Sequence, residues 1–207
     1  MTSARVALIW AALSAAIVVP IALAAGSELL AYRGAIYTVA GFAGIVALAL
    51  VLVQPLLIGG YLPGFEGYGG RRAHYWIGGA LVVTVVVHVG GLWITSPPDM
   101  IDALTFTSPT PFSPFGVVAM WAIFAVALMA AFRRRLGLAP RTWRMAHMVL
   151  AVVIVAGSVI HGLLIEGTME TMSKAALSAL VVLAALKVMA DRRVWRKGVA
   201  SRDQAGM

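Results

Sequence analysis

Six apolar runs, each close to the length that crosses a bilayer, dominate this 207-residue chain. They lie at about 6–25, 35–57, 73–94, 114–132, 144–164 and 171–190. A hydrocarbon core ~30 Å thick takes about 20 helical residues, so each run reads as one transmembrane helix. Little else fits between them: the connections are short, and no polar stretch is long enough for a separate soluble domain. Composition agrees, with 61% hydrophobic and 12% charged residues, where a soluble domain is about half apolar and a quarter charged.

The first run begins after Arg5 and carries the small residues Ala22, Leu23 and Ala24, which resemble a signal-peptide cleavage site. Its apolar core is longer than the ~7–15 residues of a signal sequence, so a retained helix is expected. The last run is the weakest, because Lys187 falls inside it and must reach for a headgroup. The basic tail at 191–207 is expected to fray.

Basic residues set the orientation. With the N-terminus inside, Arg33 and Lys174 are the only two of the 16 Lys and Arg on outer segments, leaving 14 on inner ones. The positive-inside rule then makes both termini cytoplasmic. The expected fold is an all-α membrane protein, a six-transmembrane-helix bundle with N and C termini cytoplasmic. The net charge of +8 is accounted for by this topology and by anionic membrane lipid, not by nucleic acid.

Within these runs stand all four histidines of the chain. His74 and His88 lie in "AHYWIGGALVVTVVVHVGG", and His147 and His161 in "AHMVLAVVIVAGSVIHG". Each pair is 14 positions apart. Fourteen helical steps turn ~1400°, about 40° short of four turns, and rise ~21 Å. Both members of a pair therefore share a face at two depths. The third and fifth helices run in the same direction, so His74 should be level with His147 near the cytoplasm and His88 with His161 near the outside.

Two imidazoles and nothing else suit an iron porphyrin, whose macrocycle brings four more nitrogens. Zinc wants four protein ligands or an open position, and no carboxylate stands at these depths. The absence of cysteine excludes disulfides, iron–sulfur clusters and thiolate metal sites. It also excludes a CxxCH attachment, so the expected cofactors are two b-type haems, an inner one on His74 and His147 and an outer one on His88 and His161. Bis-histidine iron has no free position and passes electrons. A single intramembrane histidine can equally serve as an interhelical hydrogen bond or a proton relay, and the repeated spacing is what favours ligation here. Arg71 and Arg72 before His74, and Arg141 and Arg144 before His147, are placed to bind haem propionates or simply to hold the helix ends inside. Gly78, Gly79, Gly90, Gly91, Gly157 and Gly162 offer room for a flat macrocycle or for close helix contact.

A six-helix domain with H-x13-H on its third and fifth helices resembles the ferric reductase-like transmembrane domain superfamily. This superfamily includes ferric reductases, NADPH oxidases and the haem-binding membrane subunit of methionine-sulfoxide reductase systems. "RRAHYWIGG" and "WRMAHMV" carry the likeness at the cytoplasmic ends of the ligand helices. The resemblance covers roughly 35–190 and implies that His74, His88, His147 and His161 ligate two haems. It divides the chain into a first helix with its outer loop (1–34), a di-haem transmembrane domain (35–190) and the basic tail (191–207).

Ferric reductases and NADPH oxidases continue into a flavin and nicotinamide domain, and this sequence carries no GxGxxG in a strand–helix context. The expected role is thus electron transfer, as a subunit of an oxidoreductase in a bacterial inner membrane. A separate flavin reductase or quinol would donate inside, and ferric iron, oxygen or a periplasmic reductase would accept outside. The rival readings are a quinol-linked cytochrome b subunit and a non-redox transporter with histidine proton relays. Two loops stand out. "TSPPDMIDALTFTSPTPFSPFG" (95–116) holds five of the nine prolines and is an ordered connection, a lid on the outer haem or a docking site for a periplasmic acceptor. "GGYLPGFEGYGG" (59–70) is either a glycine-rich turn or a docking site for a donor.

Overall fold

A computed structural model describes the backbone of residues 2–205 and the side chains of residues 2–191. It is all-helical among the described residues: α1 (Ser3–Ala25), α2 (Ala35–Gly59), α3 (Gly67–Thr95), α4 (Pro97–Leu104), α5 (Ser113–Ala131), α6 (Arg133–Leu136), α7 (Pro140–Leu164) and α8 (Thr171–Ala205), with a short 3-10 turn at Glu28–Leu30. Six helices are long and apolar enough to cross a membrane: α1, α2, α3, α5, α7 and the Thr171–Asp191 part of α8. The expected spans are all present. The tail differs from expectation, since its backbone stays helical to Ala205; side chains beyond Asp191 lie outside the described residues.

Local chemistry sets the helix ends. Pro97, Pro114 and Pro140 each stand in the first two positions of a helix, where the missing N–H has no intrahelical partner to lose. Gly60 ends α2 in the left-handed region, and the N–H groups of Gly60 and Tyr61 close onto the Leu57 and Leu56 carbonyls. Ser96 precedes α4 and donates to Asp99 at 2.6 Å. Glu170 precedes α8 and accepts from the Met172 and Ser173 N–H groups at 2.7 and 2.6 Å and from the Ser173 hydroxyl. Those bonds, the Ser173 hydroxyl first, hold its carboxyl below the ordinary glutamate range.

The bundle is built from two helix pairs, with α3 packed along α2 and α7 along α5. α8 closes against α2 and α7, and α1 lies at the edge against α8 and α2. The core joins Leu48, Val51 and Leu52 of α2, Leu81 and Val85 of α3, Met120 and Ile123 of α5, Ile154 of α7, and Leu177 and Val181 of α8. In a bilayer, close contact rather than water exclusion holds helices together, so small residues matter at the crossings. A Cβ on Gly91 would come within 2.8 Å of Ala40, and one on Gly157 within 2.8 Å of the Phe115 carbonyl. These two glycines serve helix contact, whereas Gly79 and Gly90 have nothing near.

α8 is the most buried of the spans, although its sequence is the least apolar. Its two lysines explain why it can be. Lys187 is exposed, pairs with Asp191 at 3.1 Å and lies 4.9 Å over the Tyr61 ring. Lys174 is buried and donates to the Ile165 carbonyl at 2.8 Å, at the end of α7. The glycine-rich 59–70 loop is pinned to this side of the bundle: Tyr61 donates to Asp191, Phe65 meets Trp10 edge-on at 6.0 Å, and Leu62 is buried. Desolvation, then the Asp191 carboxylate, pushes the Tyr61 hydroxyl above the usual tyrosine value.

Candidate functional site

The four histidines meet in two pairs. The rings of His74 (α3) and His147 (α7) stand 5.9 Å apart between centres, and those of His88 and His161 stand 6.4 Å apart. The equal spacing lets both pairs meet at once; the placement of α3 opposite α7 brings them together. α3 and α7 are not closely packed on each other, since each has its own neighbour in α2 or α5.

The His88–His161 pair is held from behind. His88 Nδ1 lies 2.7 Å from the Ala40 carbonyl on α2, and His161 Nδ1 lies 3.0 Å from the Phe112 carbonyl before α5. A carbonyl only accepts, so in each case Nδ1–H donates and the neutral ring has its lone pair on Nε2. Two glycines make these bonds feasible. A Cβ at Gly44 would sit 3.0 Å from His88 Nδ1, and one at Gly116 would sit 2.6 Å from His161 Nδ1. Phe112 also sets its ring edge-on to His161 at 5.7 Å. The proline-rich 95–116 loop thus supplies both a hydrogen-bond acceptor and an aromatic neighbour for His161.

The His74–His147 pair is framed differently. His74 Nδ1 is 3.4 Å from the Gln54 carbonyl, and the Gln54 side-chain amide lies against the same nitrogen. His147 stacks on Trp143, one turn earlier on α7, with ring centres 5.9 Å apart and planes 26° apart. The Arg133 guanidinium lies 5.0 Å over the other ring of that stack, Trp143. Arg71, Arg72, Arg141 and Arg144 are exposed, and none forms an ion pair among the described residues.

The donor set fits a haem and little else. Among the described residues no group of three or more His, Cys, Asp or Glu could hold a bare metal ion. An imidazole nitrogen bonds a first-row metal at about 2 Å and lies about 1 Å from its ring centre, so two rings sharing one metal in line stand about 6 Å apart. Both observed separations, 5.9 and 6.4 Å, meet that condition. The carbonyls behind His88 and His161 are the outer partners that metal-ligating histidines ordinarily have.

Gly44, Gly116, Gln54, Phe112, Trp143 and Arg133 were not anticipated from sequence. Trp143 left a signal there, four residues before His147 and hence on the same face of one helix, and Phe112 and Gly116 lie in the 95–116 loop, for which a lid is one expected role.

Comparison with protein-family models gives one match over residues 40–158, to the family described as ferric reductase like transmembrane component. The matched segment runs from α2 into α7, contains His74, His88 and His147, and ends three residues before His161. Comparison with curated proteins and with solved structures gives no match.

Proposed function

The chain belongs to the ferric reductase like transmembrane component family, and on that premise we propose that it is a di-haem b-type cytochrome carrying electrons across the membrane. His74 and His147 would hold the inner haem, and His88 and His161 the outer one. The observation that carries this reading is the pair of imidazole contacts at 5.9 and 6.4 Å, both made between α3 and α7.

A bound haem supplies one-electron iron chemistry, and the protein supplies ligands, orientation and a dry path. The Ala40 and Phe112 carbonyls keep the proton of each outer ring on Nδ1, which leaves Nε2 for the metal. Gly44 and Gly116 let those rings seat against α2 and α5. The apolar core shared by α2, α3, α5 and α7 would keep water from the bound haems. The distribution of arginines favours His74 and His147 as the cytoplasmic pair. Outward electron movement is then favourable by ~2.3 kcal/mol per 100 mV when the inside is negative. A flavin reductase or a quinol is the fitting donor class, and ferric iron, oxygen or a periplasmic reductase the fitting acceptor class. The exposed Arg71, Arg72, Arg141 and Arg144 remain available to haem propionates reaching the headgroup region.

Haem content and pairing test the reading together. Purified protein should give two b haems per chain in a pyridine haemochrome assay, with a low-spin bis-histidine spectrum. Alanine at 74 or 147 should remove one spectral component, and alanine at 88 or 161 the other. One haem or none in the unaltered protein, or loss of the same component from His74→Ala and His88→Ala, refutes it.

A further inference from the structure

The two histidine pairs differ in what lies behind their rings. At His88 and His161 the partner is a backbone carbonyl, which can only accept, so those rings are preset with the proton on Nδ1. At His74 the group in closest reach of Nδ1 is the side-chain amide of Gln54, while the Gln54 carbonyl stands at 3.4 Å, the outer limit for a hydrogen bond. A primary amide has a donor end and an acceptor end of nearly equal shape. It can therefore meet either tautomer of the ring.

The two orientations differ in what the far end of the amide meets. With its nitrogen toward His74, the amide donates to Nδ1, also approaches the His74 carbonyl at 3.3 Å, and its oxygen accepts from the Gly78 N–H at 2.8 Å. That arrangement suits a ring protonated on Nε2, which cannot ligate a metal through Nε2. Turned end for end, the amide oxygen accepts from Nδ1–H, which frees Nε2, but the amide nitrogen then faces the Gly78 N–H, donor against donor, so this orientation is the costlier one without a metal on Nε2. Gly78 makes the space: a Cβ there would stand 3.3 Å from the amide nitrogen. Pro55, next in sequence inside α2, lacks the N–H that would otherwise bond one turn back.

We propose that Gln54 is the positioning residue of the inner pair, an amide that turns to follow the tautomer of His74 and accepts from Nδ1–H when Nε2 is given to the haem iron. This rests on the di-haem reading and goes beyond it, by making the inner site adjustable where the outer site is fixed. An acceptor behind a ligating imidazole raises its basicity and favours the oxidised metal. The strength of the group at position 54 therefore sets the inner haem potential through His74, without touching the iron.

Redox titration of the purified full-length protein, with low-temperature EPR, tests this in the unaltered chain, Gln54→Leu and Gln54→Glu. The two components are assigned beforehand with His88→Ala and His147→Ala. The inner midpoint should fall in the order Leu, Gln, Glu, from highest to lowest, while the outer midpoint stays fixed. Gln54→Leu should also lose its inner haem to a scavenging apoprotein ~10–100-fold more readily. An unchanged inner midpoint across the series, or equal shifts of both haems, overturns the proposal. If Gln54→Leu fails to assemble, Gln54→Glu decides alone: a lowered inner midpoint supports the assignment and an unchanged one refutes it. Absence of haem from the unaltered protein would instead refute the di-haem reading.

Discussion

Gly116→Ala should selectively weaken the outer haem site. The new Cβ would lie 2.6 Å from Nδ1 and 2.9 Å from Cε1 of His161. Ordinary contact begins at 3.4 Å, so the ring must retreat by about 0.8 Å (3.4 − 2.6). A metal–ligand bond tolerates about 0.2 Å, and retreat is obstructed by the Phe112 carbonyl at 3.0 Å. Separating α5 from α7 instead would open the contact at Gly157 with Ala119. Overpacking of this kind costs ~1–3 kcal/mol, which corresponds to a ~5- to 150-fold loss of outer haem affinity.

Gly44→Ala is the milder counterpart on the opposite ring. Its Cβ lies 3.0 Å from His88 Nδ1, requiring about 0.4 Å (3.4 − 3.0), so its loss should be smaller. Gly90→Ala, with nothing within 4 Å, is the control and should retain both haems. The assay is haem-to-polypeptide ratio by pyridine haemochrome, followed by the rate at which an apoprotein scavenger removes each spectral component. The reasoning is refuted if folded Gly116→Ala keeps the outer component as tightly as Gly90→Ala does.

Three further outcomes follow from other parts of the molecule. In vesicles of known orientation, an impermeant ferric chelate outside should reoxidise the reduced cytochrome. His88→Ala should block that reaction with the inner component still reducible, and an unchanged rate would rule out the two-step path. Trp143→Leu removes an aromatic neighbour worth ~0.5–1.5 kcal/mol and should loosen the inner haem by up to about tenfold; scavenger kinetics confined to the inner component measure it. The depressed Glu170 carboxyl adds stability that is full above the ordinary glutamate range and is lost as pH falls through its folded-state value. Glu170→Gln should flatten the acid limb of thermal stability between pH 6 and pH 3, and an unaltered limb would discount that cap.

The spans and the histidine register were legible because both depend on local geometry. Bilayer thickness fixes how many apolar residues make a crossing, and the pitch of one helix puts residues 14 apart on one face. With equal spacing on two parallel helices, levelling one histidine pair levels the other; the axial offset that does so is set by packing. Glycine was harder to interpret: the sequence highlights Gly90 and Gly91, yet the positions against the rings are Gly44 and Gly116, on helices without a histidine.

What lies behind each ring was decided only by tertiary structure. His88 finds its acceptor 48 residues away at Ala40, and His161 finds its own 49 residues away at Phe112. α2 and α5 are apolar all round, so no polar stripe in their sequences says which face turns inward. The rotation of such a helix is set by how its small residues nest against its neighbours. That nesting selects Gly44, Gln54 and Gly116 to face the histidines, while the exposed Arg71, Arg72, Arg141 and Arg144 stay at the helix ends.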